Sequence, residues 1–145
     1  DDAEPGSIGY SPAMLDLVAT ALDSVVNNPR GTAYKSRIRT PSMAMGGKTG
    51  TAQVRRISVA ERKTGVLKNS QLAWRERDHA LFVGYAPVQT PRYAVSILVE
   101  HGGGGSAVAA PIARDVMAAT LKRDPARLAP GANVAGLRAP GSQDG

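Results

Sequence analysis

The sequence predicts an α+β fold in which helices pack on an antiparallel sheet, and three observations carry that expectation. Apolar residues recur at helical spacing near both ends of the chain, at Leu15, Val18, Leu22 and Val25 and again at Val108, Ile112 and Val116. Between them lie two short runs of β-formers, Ala80–Tyr85 and Tyr93–Glu100, separated by the turn-like Gln89-Thr90-Pro91-Arg92. A further segment, 47–57, reads as a strand with glycine near its start. Helix, strand, strand, strand, helix is the order expected of helices laid on one face of an antiparallel sheet.

Each element has a local reason. Residues 1–10 are acidic, contain Gly and Pro, and read as a loose lead-in. Ser11-Pro12 starts the first helix, because a serine side chain can accept from the orphan amides and proline's fixed φ suits the first helical position. Asn27-Asn28-Pro29 ends it, since proline cannot continue the hydrogen-bond ladder. Residues 30–45 are a connecting loop. Residues 58–77 are polar and charged without a period, and read as a long hairpin connection, exposed and poorly packed. Ala86-Pro87 closes the second strand. His101 and four glycines lead into a helix over 106–121, with Val108, Ile112, Val116, Thr120 and Leu121 on its inner side. Pro111 fits only near that helix's first turn. Residues 124–145 are Ala, Gly, Pro and Arg without a period and predict a disordered tail. The folded portion is therefore expected over 11–123.

A chain of 145 residues suits one domain with a modest core. Hydrophobic content is 42% but aromatic content only 4%, so Ala, Val, Leu and Ile are expected to build that core. There is no cysteine, which excludes disulfides and thiolate metal sites. The two histidines, His79 and His101, have no ligand-like spacing, which argues against a zinc site; no cofactor is expected. No window approaches the roughly 20 apolar residues that span a bilayer, and no basic-then-apolar signal opens the chain. The formal charge is +6 and unevenly spread. Arg37, Arg39, Lys48, Arg55, Arg56, Arg62, Lys63, Lys68 and Arg75 crowd the stretch between Arg30 and Arg77, opposed only by Glu61 and Glu76. Aromatic residues that could stack on bases are nearly absent there, so a solvated basic hairpin beside a carboxylate-binding site is the better reading than a nucleic-acid surface.

The segment that carries chemistry is Gly46-Gly47-Lys48-Thr49-Gly50-Thr51-Ala52-Gln53. A phosphate-binding loop is the first comparison, but its leading glycine would fall at Ser42, and neither an apolar strand before it nor a helix after it is indicated. An active-site strand fits better. Side chains alternate along a strand, so Thr49 and Thr51 share a face and offer two hydroxyls to a carboxylate. Gly50 leaves room for a substrate backbone. The Thr51 N–H is then available to a developing oxyanion, where loss of one donor costs roughly 3 kcal/mol in well-studied enzymes. Lys48 supplies a positive charge that can attract an anionic substrate and support proton transfer.

Lys-Thr-Gly is a signature of β-lactamases and penicillin-binding proteins. The wider match is more specific. The segments 25–33 (Val-Val-Asn-Asn-Pro-Arg-Gly-Thr-Ala), 47–54, 78–87 and 100–106, with Ala110-Pro111-Ile112-Ala113, resemble the C-terminal part of the transpeptidase domain of class B penicillin-binding proteins. The elongation type, penicillin-binding protein 2, is the nearest in pattern, and the likeness covers about Met14 to Arg123. It implies a peptidoglycan D,D-transpeptidase working through a serine acyl-enzyme. Its partners would be the D-Ala-D-Ala stem peptide, β-lactam antibiotics and proteins of the cell-elongation machinery, and not nucleic acid. Its place would be the periplasmic face of the bacterial inner membrane, the parent protein being membrane-anchored. Lys48 and Thr51 are the implied catalytic residues; Thr49, Gly50 and Thr51 are the implied substrate-binding residues.

The family also uses Ser-x-x-Lys and Ser-x-Asn motifs. No serine here has lysine three positions on or asparagine two positions on, so the nucleophile is expected outside this chain. Two rivals stay open: a non-catalytic β-lactam or muropeptide sensor with the same strand, and a basic nucleic-acid-binding module. Gly102–Gly105 reads as a flexible strand-to-helix turn rather than an anion cradle. Gln53 and His79 read as structural. Trp74 could contact substrate, a partner or the domain's own surface.

Overall fold

A computed structural model describes residues 9–125. Its elements are α1 (Pro12–Asn27), β1 (Gly46–Ala52), α2 (Val59–Thr64), β2 (His79–Ala86), β3 (Tyr93–Val99) and α3 (Ala109–Lys122). Short 3-10 turns lie at Tyr34–Ser36, Pro41–Met43, Asn69–Gln71 and Trp74–Glu76. The expected loose lead-in and disordered tail fall almost wholly on 1–8 and 126–145, outside the described residues. Asp124, assigned to the tail, instead belongs to the packed body: it is buried and meets Arg92 Nη2 at 3.0 Å.

The three strands form one antiparallel sheet in the order β1-β2-β3. Thr49 pairs with Phe82, and Phe82 with Ile97; Thr51 pairs with Ala80, and Ala80 with Val99. Cross-strand partners share a face. Ala80 and Phe82 are fully buried, and Ile97 and Val99 pack against the core with α3. The opposite face carries Lys48, Val83 and Leu98; Val83 is 51% and Leu98 58% exposed. The buried hydrophobic residues are mainly Ala, Val, Leu and Ile, as the composition suggests, and Phe82, Met43, Met45 and Met117 add bulk among them. Methionine's unbranched, flexible chain suits the irregular gaps left where small alanines line a helix.

The first helix begins and ends where expected. Ser11 Oγ accepts from the Met14 amide at 3.3 Å, Pro12 follows, and Asn28 caps the C-terminus. Its predicted stripe is not a buried stripe. Leu15 is 45% and Val18 55% exposed, and Val26 alone on α1 is fully buried. The helix is seated from Ala19 onward: the Tyr85 hydroxyl donates to the Ala19 carbonyl at 3.4 Å, and Asn27 Nδ2 donates to Asp23 Oδ1 at 2.7 Å and to the Met45 carbonyl at 3.0 Å. The Asn27 side chain ties the helix end to the residue just before β1.

The last helix starts at Ala109 rather than 106, and only part of the expected stripe is inward: Leu121 is buried and Val108 packs against the core. Ala109, Ala110, Ala113, Met117 and Leu121 are buried, whereas Ile112 and Val116 are 41% and 46% exposed. The spacing of the larger side chains predicts Ile112 and Val116 on the inner stripe. The alanine face wins because small residues let the helix axis come close to β2 and β3.

β1 ends at Ala52, short of the expected Ile57. The connection to β2 is exposed, as its composition indicated; Arg56, Arg62 and Lys63 face solvent. It nevertheless has local order. Ser58 caps α2 by accepting from the Glu61 amide at 3.1 Å. Arg55 grips the Glu61 carboxylate through its two terminal guanidinium nitrogens, Nη1 and Nη2. Asn69 both accepts from the Asp78 amide at 2.8 Å and donates to its carboxylate at 3.1 Å. Leu72 is its one buried hydrophobic residue.

Candidate active site

The site is built on β1, whose partner on one side is β2; among the described residues no strand pairs with its other edge. α1 packs beside it. The second residue of the strand is glycine because nothing else fits there. A Cβ on Gly47 would lie 2.4 Å from the Phe82 ring and 2.6 Å from the Val83 carbonyl, too close for any side chain. The Phe82 ring thus packs against Gly47, just before the Lys-Thr-Gly motif, and Phe82 is the cross-strand partner of Thr49.

Gly50 is held from behind by a segment far along the chain. A Cβ on Gly105 would sit 2.2 Å from the Gly50 carbonyl and 2.3 Å from the Leu81 carbonyl. Gly105, the last glycine of the strand-to-helix turn, is therefore a packed support for the β1–β2 pair. Gly103, at φ +88°, donates its amide to the Asp78 carbonyl at 2.8 Å, and Gly105 accepts from the Ala110 amide at 2.8 Å to launch α3.

Thr49 and Thr51 lie on one face of β1, as alternation requires. Thr51 is exposed and Thr49 half-buried. Lys48 is on the opposite face, exposed, with Nζ donating to the Thr49 carbonyl at 2.7 Å. The strand thus brings two hydroxyls together and sets the ammonium across the pleat, one residue away. Gly50 lies between the two threonines, with Leu81 Cβ 3.2 Å from where its own Cβ would stand.

Two neighbours were not legible as site residues. One is Gly105. The other is Thr32, whose hydroxyl oxygen lies 3.0 Å from that of Thr49. The segment 25–33 was recognised as a pattern, but nothing in the sequence indicated which strand it meets.

Past Gln53 the polar connection begins. The Arg55 guanidinium beside Glu61 holds that carboxyl down from the ordinary 4.5 to about 2. Partial burial opposes this shift, and the Leu67 amide, donating at 3.3 Å, assists it. At the far end of β2, His79 Nδ1 accepts from the His101 amide at 2.8 Å, and the two rings lie 4.7 Å apart. The Trp74 ring packs against that of His101, tilted by 59° with centroids 4.4 Å apart. Of its three possible contacts the domain's own surface is therefore one that it makes, and His79 is a structural acceptor. Among the described residues no group of three or more His, Asp or Glu could hold a metal ion, and no helix is long and apolar enough to cross a membrane.

An α+β scaffold with an edge strand reading Lys-Thr-Gly-Thr, backed by Gly105, is the arrangement of a penicillin-binding transpeptidase domain. The penicillin-binding protein transpeptidase domain is the family whose pattern matches residues 1–118, and this chain belongs to that family. It is similar to the peptidoglycan D,D-transpeptidase MrdA of Acinetobacter baumannii, 38% identical over 131 residues, which cover 87% of this chain and 18% of that protein. It is 35% identical to MrdA of Salmonella typhimurium over 101 residues, 70% of this chain and 15% of that one. Among solved structures it is similar to Pseudomonas aeruginosa PBP2 in complex with WCK 5153, at TM-score 0.59 and 39% identity over 83% of this chain and 22% of that one. It is also similar to PBP2 of Helicobacter pylori in its complex with MreC, at TM-score 0.65 and 26% identity over 85% and 20%. The chain spans about a fifth of the length of these relatives.

Proposed function

We propose that residues 11–123 are the C-terminal portion of a peptidoglycan D,D-transpeptidase domain and supply the substrate-binding strand to a serine carried outside this chain. The observation that carries this reading is the open-edged β1, with Thr49 and Thr51 on one face. A carboxylate can accept from both hydroxyls, and charge-assisted hydrogen bonds of this kind are the strong ones. In the reaction a serine oxygen adds to the carbonyl between two terminal D-alanines, and the last D-alanine leaves as its amine takes a proton. An amine of a neighbouring strand then displaces the serine to form the cross-link. Lys48 draws in the anionic peptide and supports proton transfer, the Thr51 N–H stabilises the oxyanion, and Gly50 leaves clearance. β-Lactams acylate the same serine.

The likeness to MrdA and to a PBP2 solved with MreC supports a place in the cell-elongation machinery, at the periplasmic face of the inner membrane. Nucleic acid is not a partner in this reading. The test is covalent labelling. The isolated chain has no Ser-x-x-Lys and should take up no labelled penicillin by intact mass. The complete enzyme should take up one equivalent, at a serine outside this numbering. Stoichiometric labelling of the isolated chain would overturn this division of labour, and an unlabelled complete enzyme would overturn the activity.

A further inference from the structure

We propose that Thr32 is a positioning residue for carboxylate recognition, acting through the hydroxyl of Thr49; the proposal rests on the reading of Thr49 as a carboxylate donor. The two hydroxyl oxygens are 3.0 Å apart, and either could be the donor. A hydroxyl has one proton and two lone pairs. If Thr49 donates to Thr32, its proton is spent. If Thr32 donates to Thr49, the Thr49 proton is free, and the oxygen carrying it is polarised by the bond it accepts. An anion arriving at Thr49 accepts a proton and cannot offer one, so it selects the second arrangement. The chain Thr32 O–H to Thr49 O–H to carboxylate then runs in one direction and aims the Thr49 rotor at the ligand.

The backbone around Thr32 is built to hold this geometry. Gly31 fits tightly over the end of α1, where a Cβ would meet the Val25 carbonyl at 2.3 Å and the Ser24 carbonyl at 2.5 Å. The Asn28 side chain accepts from the Arg30 amide at 2.9 Å, and the Ala33 amide returns to the Val25 carbonyl at 3.0 Å. Asn27, bonded to the Met45 carbonyl at 3.0 Å, fixes the same turn relative to the start of β1. Thr32 thus sits between two anchored residues, on a turn locked to the strand it serves. It is exposed, so a ligand at Thr49 can reach the pair.

The experiment compares acylation of the complete transpeptidase by benzylpenicillin and by its methyl ester, which lacks the carboxylate. Thr32→Val should slow acylation by the acid about three- to tenfold, the worth of one hydrogen bond. It should leave the rate with the ester and the unfolding midpoint unchanged. Thr32→Ser should restore the rate with the acid. Thr49→Val should lose the same selectivity for the acid, and the double variant should lose no more than Thr49→Val alone. If Thr49→Val loses that selectivity and Thr32→Val does not, this inference fails while the site reading stands. If Thr49→Val leaves the acid-to-ester ratio unchanged, the site reading fails and takes this inference with it. Equal slowing of acid and ester by Thr32→Val would mark a merely structural role and overturn the proposal.

Discussion

The first half of β1 and the connection that leaves its last residue differ in what holds them. Gly46 to Gly50 are fixed by backbone proximity. Gly47 lies on Phe82, Gly84 brings its backbone against the Gly46 carbonyl, where a Cβ would be at 2.7 Å, and Gly105 closes the back of Gly50. Contacts of this kind involve groups that cannot move aside. From Arg55 to Asp78 the chain is held by side-chain pairs at the surface, Arg55 with Glu61 and Asn69 with Asp78, and by Leu72. Surface pairs of this kind contribute little to global stability, because water competes for both partners. The comparison teaches that the site strand is braced from below by absent side chains, while the neighbouring charge-rich loop is ordered only locally.

The sharpest way to break the comparison is to remove the brace. Phe82→Ala leaves a cavity beneath Gly47 and should cost about 3–5 kcal/mol in chemical denaturation. Gly105→Ala should cost up to about 3 kcal/mol, since the clash is with carbonyl oxygens rather than a flexible tip. A loss below about 1 kcal/mol from both would show that the strand is not braced in this way.

Chemistry should follow the strand and not the loop. In the complete enzyme, Lys48→Ala should slow penicillin acylation about a hundredfold or more, because it removes both charge and proton-transfer support. Thr51→Val keeps the shape and the backbone N–H and should cost about tenfold, mainly in affinity for the stem-peptide carboxylate. Unchanged acylation in both variants would contradict the assigned roles.

The loop has its own readout in pH. Glu61 titrates near 2 in the folded chain and near 4.5 when free, so its pairing with Arg55 is fully present above about 4.5. Stability from that pair is lost as pH falls from 4.5 through about 2. Carbon-detected NMR of the Glu61 carboxyl should give a midpoint near 2, with the Leu67 amide shift moving in parallel. A midpoint near 4.5 would show an open loop. The smallest expected effect is that of Arg62→Gln with Lys63→Gln. Both side chains are exposed, and the unfolding free energy should move by less than about 0.5 kcal/mol. A larger change would mean that the charge-rich loop is packed more like the strand.

Much of the fold was legible because its signals are local. The Ser11-Pro12 cap, the Asn28-Pro29 stop and the β-branched runs of β2 and β3 act over a few residues, and the elements stand where those residues put them. Helix faces were less legible. Hydrophobicity named Ile112 and Val116 as inner residues of α3, yet the alanines are inside, since closeness of approach outweighed the size of the side chain. The stripe on α1 failed for a different reason. Leu15 and Val18 have the right spacing, but the first part of the helix, through Val18, stays exposed, and contact with the sheet begins at Ala19.

By itself the sequence determined the α+β class, the strand Lys48-Thr49-Gly50-Thr51, the shared face of its threonines and the absence of a Ser-x-x-Lys nucleophile within these residues. Those are matters of short-range pattern: a period of two, a cap, a motif present or missing. Tertiary structure alone decided that Gly105 backs Gly50, that Thr32 meets Thr49, and that the Lys48 ammonium rests on the Thr49 carbonyl. Glycine and threonine carry no mark of the distant backbone or hydroxyl they will touch. Such contacts exist only once the α1 turn, the strand pair and the launch of α3 have been packed against one another, because close approach is a property of the assembled layers and not of any one segment.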